Sequence, residues 1–191
     1  MSSNLDSREY DLVIFGASGF TGLFVVRELL LTIDQNPSEY GNLKWAVSGR
    51  NEAKIKDTLA NVGDELKKNL SNVEIILANV NDSDSMYAMA KRTRVVVNVV
   101  GPYRFFGRQA VEACVNAGTH HVDISGEPQY IETMQLDYYK RAVDNNILII
   151  STCGWDSIPC DVGIDFLKRN FDGRLHSVET FMKTRSGPNV T

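Results

Sequence analysis

The chain has 191 residues, of which 43% are hydrophobic, enough for a sizeable core and for one ordinary domain with a piece of another. A net charge of -4 and a pI near 5.4 argue against a nucleic-acid partner, which requires a positive field to neutralise phosphates, while Cys114, Cys153 and Cys160 make neither an even disulfide set nor a C-x-x-C zinc motif. The first dozen residues lack the marks of a signal or transit peptide, and no apolar run approaches the roughly 18 residues of a membrane span, so a soluble intracellular chain with reduced thiols is expected.

A strand pattern then alternates with a helical one. The first strand, Asp11 to Phe15, runs straight into Gly16, Gly19 and Gly22, spaced G-x-x-G-x-x-G. A helix from about Phe20 to Thr32 follows, with Val25, Val26, Leu29 and Leu30 on one face, and the segment Asp34 to Pro37 ends it. The second strand is expected at Leu43 to Val47. The next helix begins near Asn51, and its charged residues from Lys54 to Asn69 mark an exposed surface. A third strand at Val73 to Leu77 leads to a helix that Asp82 or Ser83 caps and that runs to about Arg92. The segment RVVVNVVG, 94–101, is apolar on both faces, as suits a central parallel strand covered by helices on each side. A helix from about Gly107 to Ala117 stops at Gly118, a left-handed C-cap. HHVDISG supplies the fifth strand, Gln129 to Asp144 a helix, and Ile147 to Ser151 the sixth strand. After Asp161 a short helix to about Asn170 leads to the alternating segment LHSVETFMKTR, 175–185.

Six sequential β-α repeats predict an α/β fold: a Rossmann-type, doubly wound parallel sheet in the order 3-2-1-4-5-6, with ligands at the carboxyl ends of the strands. Residues 1–172 are expected to form this dinucleotide-binding domain, and residues 173–191 the beginning of a second α/β domain. A lone strand at 175–185 has two unpaired edges, which invites pairing between copies, so homodimers or aggregates are expected unless this tail is disordered.

Three glycines alone are a weak signal, equally compatible with a tight turn. Here they follow a buried strand and open an amphipathic helix, the context that a dinucleotide fingerprint requires. Gly16 permits the sharp turn, Gly19 lets backbone approach a pyrophosphate, and Gly22 allows close helix packing. Ser18, Phe20 and Thr21 offer backbone N–H groups at the positive end of the helix. At the end of the second strand, where NAD-binding domains usually carry Asp or Glu, the chain reads Ser48-Gly49-Arg50-Asn51. Arg50 is suited to a 2′-phosphate, with Ser48 or Asn51 adding a hydrogen bond, and this favours NADP over NAD. Asn79, Asn81 and Asp82 either meet an adenine edge or cap a helix, and the two roles are compatible. Val100, Gly101, Pro102 and Tyr103 leave the fourth strand near the expected nicotinamide ribose.

The set FGASGFTG, SGRN, NVVGPY, HHVDISGE and CGWDSIPCDVG resembles the saccharopine dehydrogenase-like oxidoreductases, relatives of the trans-acting enoyl reductases of lipid biosynthesis. The resemblance spans almost the whole chain. It implies a Rossmann domain followed by a mixed α/β substrate domain, a small-molecule or lipid-like substrate, and association with lipid droplets or membranes. By that pattern the chain stops where the second domain begins, so it is expected to be an amino-terminal portion. The alternatives are an oxidoreductase domain, a non-catalytic NADP-binding regulatory protein, or a lipid-surface protein.

No catalytic residue is assigned. Tyr87 and Lys91 match a Y-x-x-x-K spacing but precede the fourth strand, on a helix covering the sheet. His120 and His121 begin a strand that sends them to opposite faces, against a shared metal. Cys153 lacks an assignable histidine partner. Within CGWDSIPCDVG, the segment Gly154 to Pro159 either lines a site or provides domain packing and a cap at Asp156 or Ser157.

Overall fold

The computed structural model describes residues 5–185. The chain divides into two compact units, Met1–Cys153 and Gly154–Thr191.

In the first unit, β1 (Tyr10–Phe15), β2 (Trp45–Gly49), β3 (Ile75–Leu77), β4 (Thr93–Asn98), β5 (His120–Asp123) and β6 (Ile149–Ile150) form one sheet. All pairings are parallel, and the order is β3-β2-β1-β4-β5-β6. The expected topology is therefore present. The helices are α1 (Phe20–Gln35), α2 (Pro37–Tyr40), α3 (Glu52–Leu66), α4 (Ser83–Lys91), α5 (Tyr103–Ala117) and α6 (Pro128–Asp144).

Alternation along the strands divides their side chains between two cores. Ile14 and Val47 meet Val26 and Leu30 of α1 and Ile55, Leu59 and Val62 of α3. On the other face Val13, Phe15, Ala46, Ile76 and Val96 meet Met86 and Met89 of α4 and Ala110 and Cys114 of α5. The charged helix α3 thus buries a stripe, although most of its surface is exposed as expected. A third cluster joins α5 to α6 through Tyr103, Val111, Tyr130 and Met134.

Helix ends follow local chemistry. Asp82 caps α4, accepting from the N–H groups of Asp84 and Ser85, and Gly118 closes α5 in the left-handed conformation. The structure differs from the sequence expectation at the start of α5, which begins at Tyr103 rather than Gly107. The cause is a distant carboxylate: Glu127 accepts the N–H groups of Tyr103 and Arg104, at 2.8 and 2.9 Å.

In the second unit, α7 (Ile158–Asn170) opens with a proline in its first turn. Ser157 occupies the N-cap position but makes no side-chain capping bond. The strand expected over 175–185 is absent, because an extended segment becomes a strand only when a neighbour satisfies its backbone groups. The remainder of the expected second domain, 186–191, lies outside the described residues.

Candidate functional site

Register brings one row of residues to the carboxyl edge of the sheet. Ile76, Ser48, Phe15, Asn98 and Asp123 are successive neighbours across five strands. Three are polar and buried, Ser48, Asn98 and Asp123. The chain adds strands outward in one direction from β1 to β3 and in the other from β4 to β6, which makes the crevice above β1 and β4 the topological switch point where α/β sheets bind ligands.

The glycine turn forms the floor of that crevice. Ser48 carbonyl accepts the N–H groups of Gly16 and Ala17, at 2.9 and 3.2 Å, and Gly16 carbonyl accepts that of Gly19 at 3.0 Å. These bonds tie the turn to β2 and direct the chain into α1, whose N-cap is Gly19 and whose first residues are Phe20 and Thr21. A helix start of this kind presents N–H groups without intrahelical acceptors. Gly22 is buried beneath the turn.

Eight sequence-chosen residues share this crevice: Gly16, Ser18, Gly19, Arg50, Asn79, Asn81, Val100 and Gly101. Phe15, Gly49, Ala78, Val80, Val99 and Phe106 complete its lining. Phe20, Thr21 and Gly22 belong to the helix behind the turn. Ser48 lies in the strand beneath, its hydroxyl buried without a hydrogen-bond partner among the described residues. Asn51 is the N-cap of α3, its side chain accepting from Lys54 N–H at 3.0 Å. Asn79 Oδ1 accepts Asn81 N–H at 3.0 Å in a turn before the helix, so Asn79 and Asn81 line the crevice while Asp82 caps α4. Pro102 is the N-cap of α5. Tyr103 is buried and donates its hydroxyl to Asn98 carbonyl at 3.0 Å. Burial, and secondarily the nearby Asp123 and Glu127, hold its phenol protonated well above the ordinary range.

Arg50 is exposed at the crevice mouth and has no ion pair or hydrogen bond among the described residues. No carboxylate stands in the stretch from Ser48 to Asn51. The site therefore offers a free guanidinium, an orphaned hydroxyl and a side-chain-free turn. Together these fit a phosphorylated ribose joined to a pyrophosphate.

Phe106 was missed because α5 was expected to start after it. Pro102, directly preceding Tyr103, was the available helix-start signal. A buried group made by Asn98, His121 and Asp123 was also missed, since its members come from two strands and no short motif joins them. Tyr87 is exposed on α4 and does not line the crevice. His120 and His121 do diverge: His120 Nδ1 accepts Leu148 N–H at 2.9 Å, while His121 is fully buried. Cys153 is half-buried, its thiol pushed up by burial and then by Asp123. Among the described residues no cluster suited to a metal ion is present.

Residues 12–150 match the family described as the saccharopine dehydrogenase NADP binding domain. The chain is 46% identical to a Caenorhabditis elegans lipid droplet localized protein, over 94% of this chain and 41% of that one. It is 41% identical to the human saccharopine dehydrogenase-like oxidoreductase, over 96% of this chain and 43% of that one. The chain thus spans less than half the length of these relatives. In fold it is similar to saccharopine dehydrogenase (L-Glu forming) from Saccharomyces cerevisiae, with a TM-score of 0.59 and 17% identity, over 84% of this chain and 32% of that one.

Proposed function

The chain belongs to the saccharopine dehydrogenase NADP binding domain family, and from that premise we propose that its crevice holds NADP(H) for an oxidoreductase acting on a lipid-like substrate. The turn from Gly16 to Gly22, with the backbone of Ser18, Phe20 and Thr21, receives the pyrophosphate. Arg50 pairs with the 2′-phosphate, and Ser48 and Asn51 add polar contacts to the same ribose. Asn79 and Asn81, with Ala78 and Val80, form the adenine side. Val100, Gly101, Pro102 and Tyr103 border the nicotinamide ribose. When bound, the nicotinamide supplies hydride chemistry. The protein's own contribution is orientation, exclusion of water and discrimination at the ribose.

Residues 1–172 serve as the dinucleotide domain, and 173–191 lead into the region of the longer relatives that completes the substrate walls. Reduction requires a substrate held about 3 to 3.5 Å from the reacting carbon, a task that falls to that further region, while the dinucleotide domain binds and orients the cofactor. The lipid assignment is supported by the name of the nematode relative. Among the described residues no helix is long and apolar enough to cross a membrane. Pairing of 175–185 between copies gives a homodimer.

The observation that carries the nucleotide assignment is unpaired Arg50 at the crevice mouth. Calorimetric titration should show NADPH binding more tightly than NADH. Arg50→Ala should weaken NADPH about tenfold to a hundredfold and leave NADH nearly unchanged. Equal wild-type affinities, or a variant that keeps its preference, would overturn the role of Arg50.

A further inference from the structure

Behind the β4 wall of the crevice lies a buried polar group whose bonds can be assigned in only one way. Asn98 is completely buried. Its side-chain oxygen accepts Val100 N–H at 3.0 Å, and its amide nitrogen lies 3.4 Å from His121 Nε2. An amide oxygen accepts and an amide nitrogen donates, so the Val100 bond fixes which end of Asn98 faces the imidazole. His121 Nε2 must then present a lone pair, and in the neutral ring the proton belongs on Nδ1. That atom is buried with no hydrogen-bond partner among the described residues and faces Asp123 Oδ2 at 3.9 Å, an electrostatic approach longer than a hydrogen bond. The Asp123 carboxylate is held in turn by donations from Tyr130 and Ser151 hydroxyls, at 2.9 and 3.1 Å, and from Ser125 and Thr152 N–H groups, at 3.0 and 3.3 Å.

The opposite amide orientation sets two donors, Asn98 Nδ2 and Val100 N–H, against each other. It also needs the other tautomer of His121. One ring tautomer therefore corresponds to one amide orientation and one path for the chain after β4. That path matters to the crevice because Val100 abuts the glycine turn: a Cβ placed on Gly16 would lie 2.7 Å from Val100 Cγ2. The preceding residue is fixed to the same turn, Val99 N–H donating to Phe15 carbonyl at 2.9 Å.

We propose that Asn98 and His121 are positioning residues of the dinucleotide crevice, an inference that rests on the NADP assignment above. His121, held as the Nδ1-protonated tautomer facing Asp123, orients the Asn98 amide. Asn98 grips Val100 N–H and thereby places the wall from Val99 to Gly101 against the glycine turn. Neither residue touches the reacting atoms.

The test uses the 191-residue chain. Ring-nitrogen NMR should show His121 neutral, with its proton on Nδ1. In Asn98→Asp a carboxylate oxygen replaces the donor facing Nε2, and the proton should move to Nε2. His121→Phe removes the acceptor while filling the space, and should weaken NADPH about tenfold. His121→Gln, whose side-chain oxygen can accept from Asn98, should recover most of that affinity even if both variants lose similar thermal stability. A wild-type ring protonated on Nε2, a tautomer unmoved by Asn98→Asp, or a folded His121→Phe chain with wild-type affinity would each overturn the proposal. Should His121→Phe fail to fold, the tautomer measurements and His121→Gln decide. A wild-type chain that does not bind NADPH removes the underlying assignment, and is distinguished from failure of the relay because the tautomer spectrum needs no ligand.

Discussion

The three glycines of the turn are glycines for different reasons. Gly16 has φ +101°, a conformation that side-chain-bearing residues rarely adopt, and it also abuts Val100. Gly22 has an ordinary helical backbone, but a Cβ there would lie 2.2 Å from Gly16 carbonyl oxygen and 2.7 Å from Ala17 Cα, atoms that cannot rotate aside. Gly19 is different: its nearest obstacle is Gly16 oxygen at 3.3 Å, and its remaining side faces the crevice. Gly22→Ala should therefore destabilise the fold by about 1 to 3 kcal/mol through overpacking. Gly19→Val should leave stability nearly intact and abolish NADPH binding, because its branched side chain occupies the pyrophosphate position. Urea denaturation and NADPH titration on each variant separate the two effects. A folded Gly19→Val protein of wild-type affinity would remove the turn from the binding site.

At the scale of elements, legibility followed the range of the interactions that define each boundary. The glycine turn, the Asp82 cap and the Gly118 stop are local, and all were readable from neighbouring residues. β2 was expected two residues early because its apolar run begins at Leu43. Pairing of Ser48 with Phe15 and of Gly49 with Leu77 extends the ladder to Gly49 instead. The four-residue helix α2 is too short to carry a periodic signal. The start of α5 depends on Glu127, more than twenty residues away, which hid Phe106 from view. Arg50 and the glycines were legible because one strand end holds each of them, whereas the Asn98–His121 contact exists only across paired strands. Removing the remote cap should accordingly undo what the sequence could not reveal. Glu127→Ala should cost about 1 kcal/mol and raise hydrogen exchange at the amides of Tyr103 and Arg104, with little effect at α4. Unchanged exchange there would show that the first turn of α5 is held by other contacts.

For the molecule as a whole, the buried polar row makes stability depend on pH. Burial pushes the His121 imidazole down to about 4 from its ordinary 6.5, against the opposing pull of Asp123. Between those values the unfolded chain binds a proton that the folded chain excludes. The His121 contribution is therefore fully present above about pH 6.5 and is lost as pH falls through the depressed folded value. His120 shifts in the same direction, through burial and then Arg94. Denaturation at pH 7 and pH 5 should show wild type losing more stability than His121→Gln, and parallel losses would remove His121 as the cause. The division into two compact units also gives the protein an optical address system. Its two tryptophans fall one to each unit, Trp45 half-buried at the start of β2 and Trp155 in the turn before α7. With Trp155 replaced by Phe, tryptophan emission excited at the red edge, where tyrosine does not absorb, comes from the first unit alone, and with Trp45 replaced it comes from the second unit alone. Whether the two units melt together thus becomes a comparison of two colours of light.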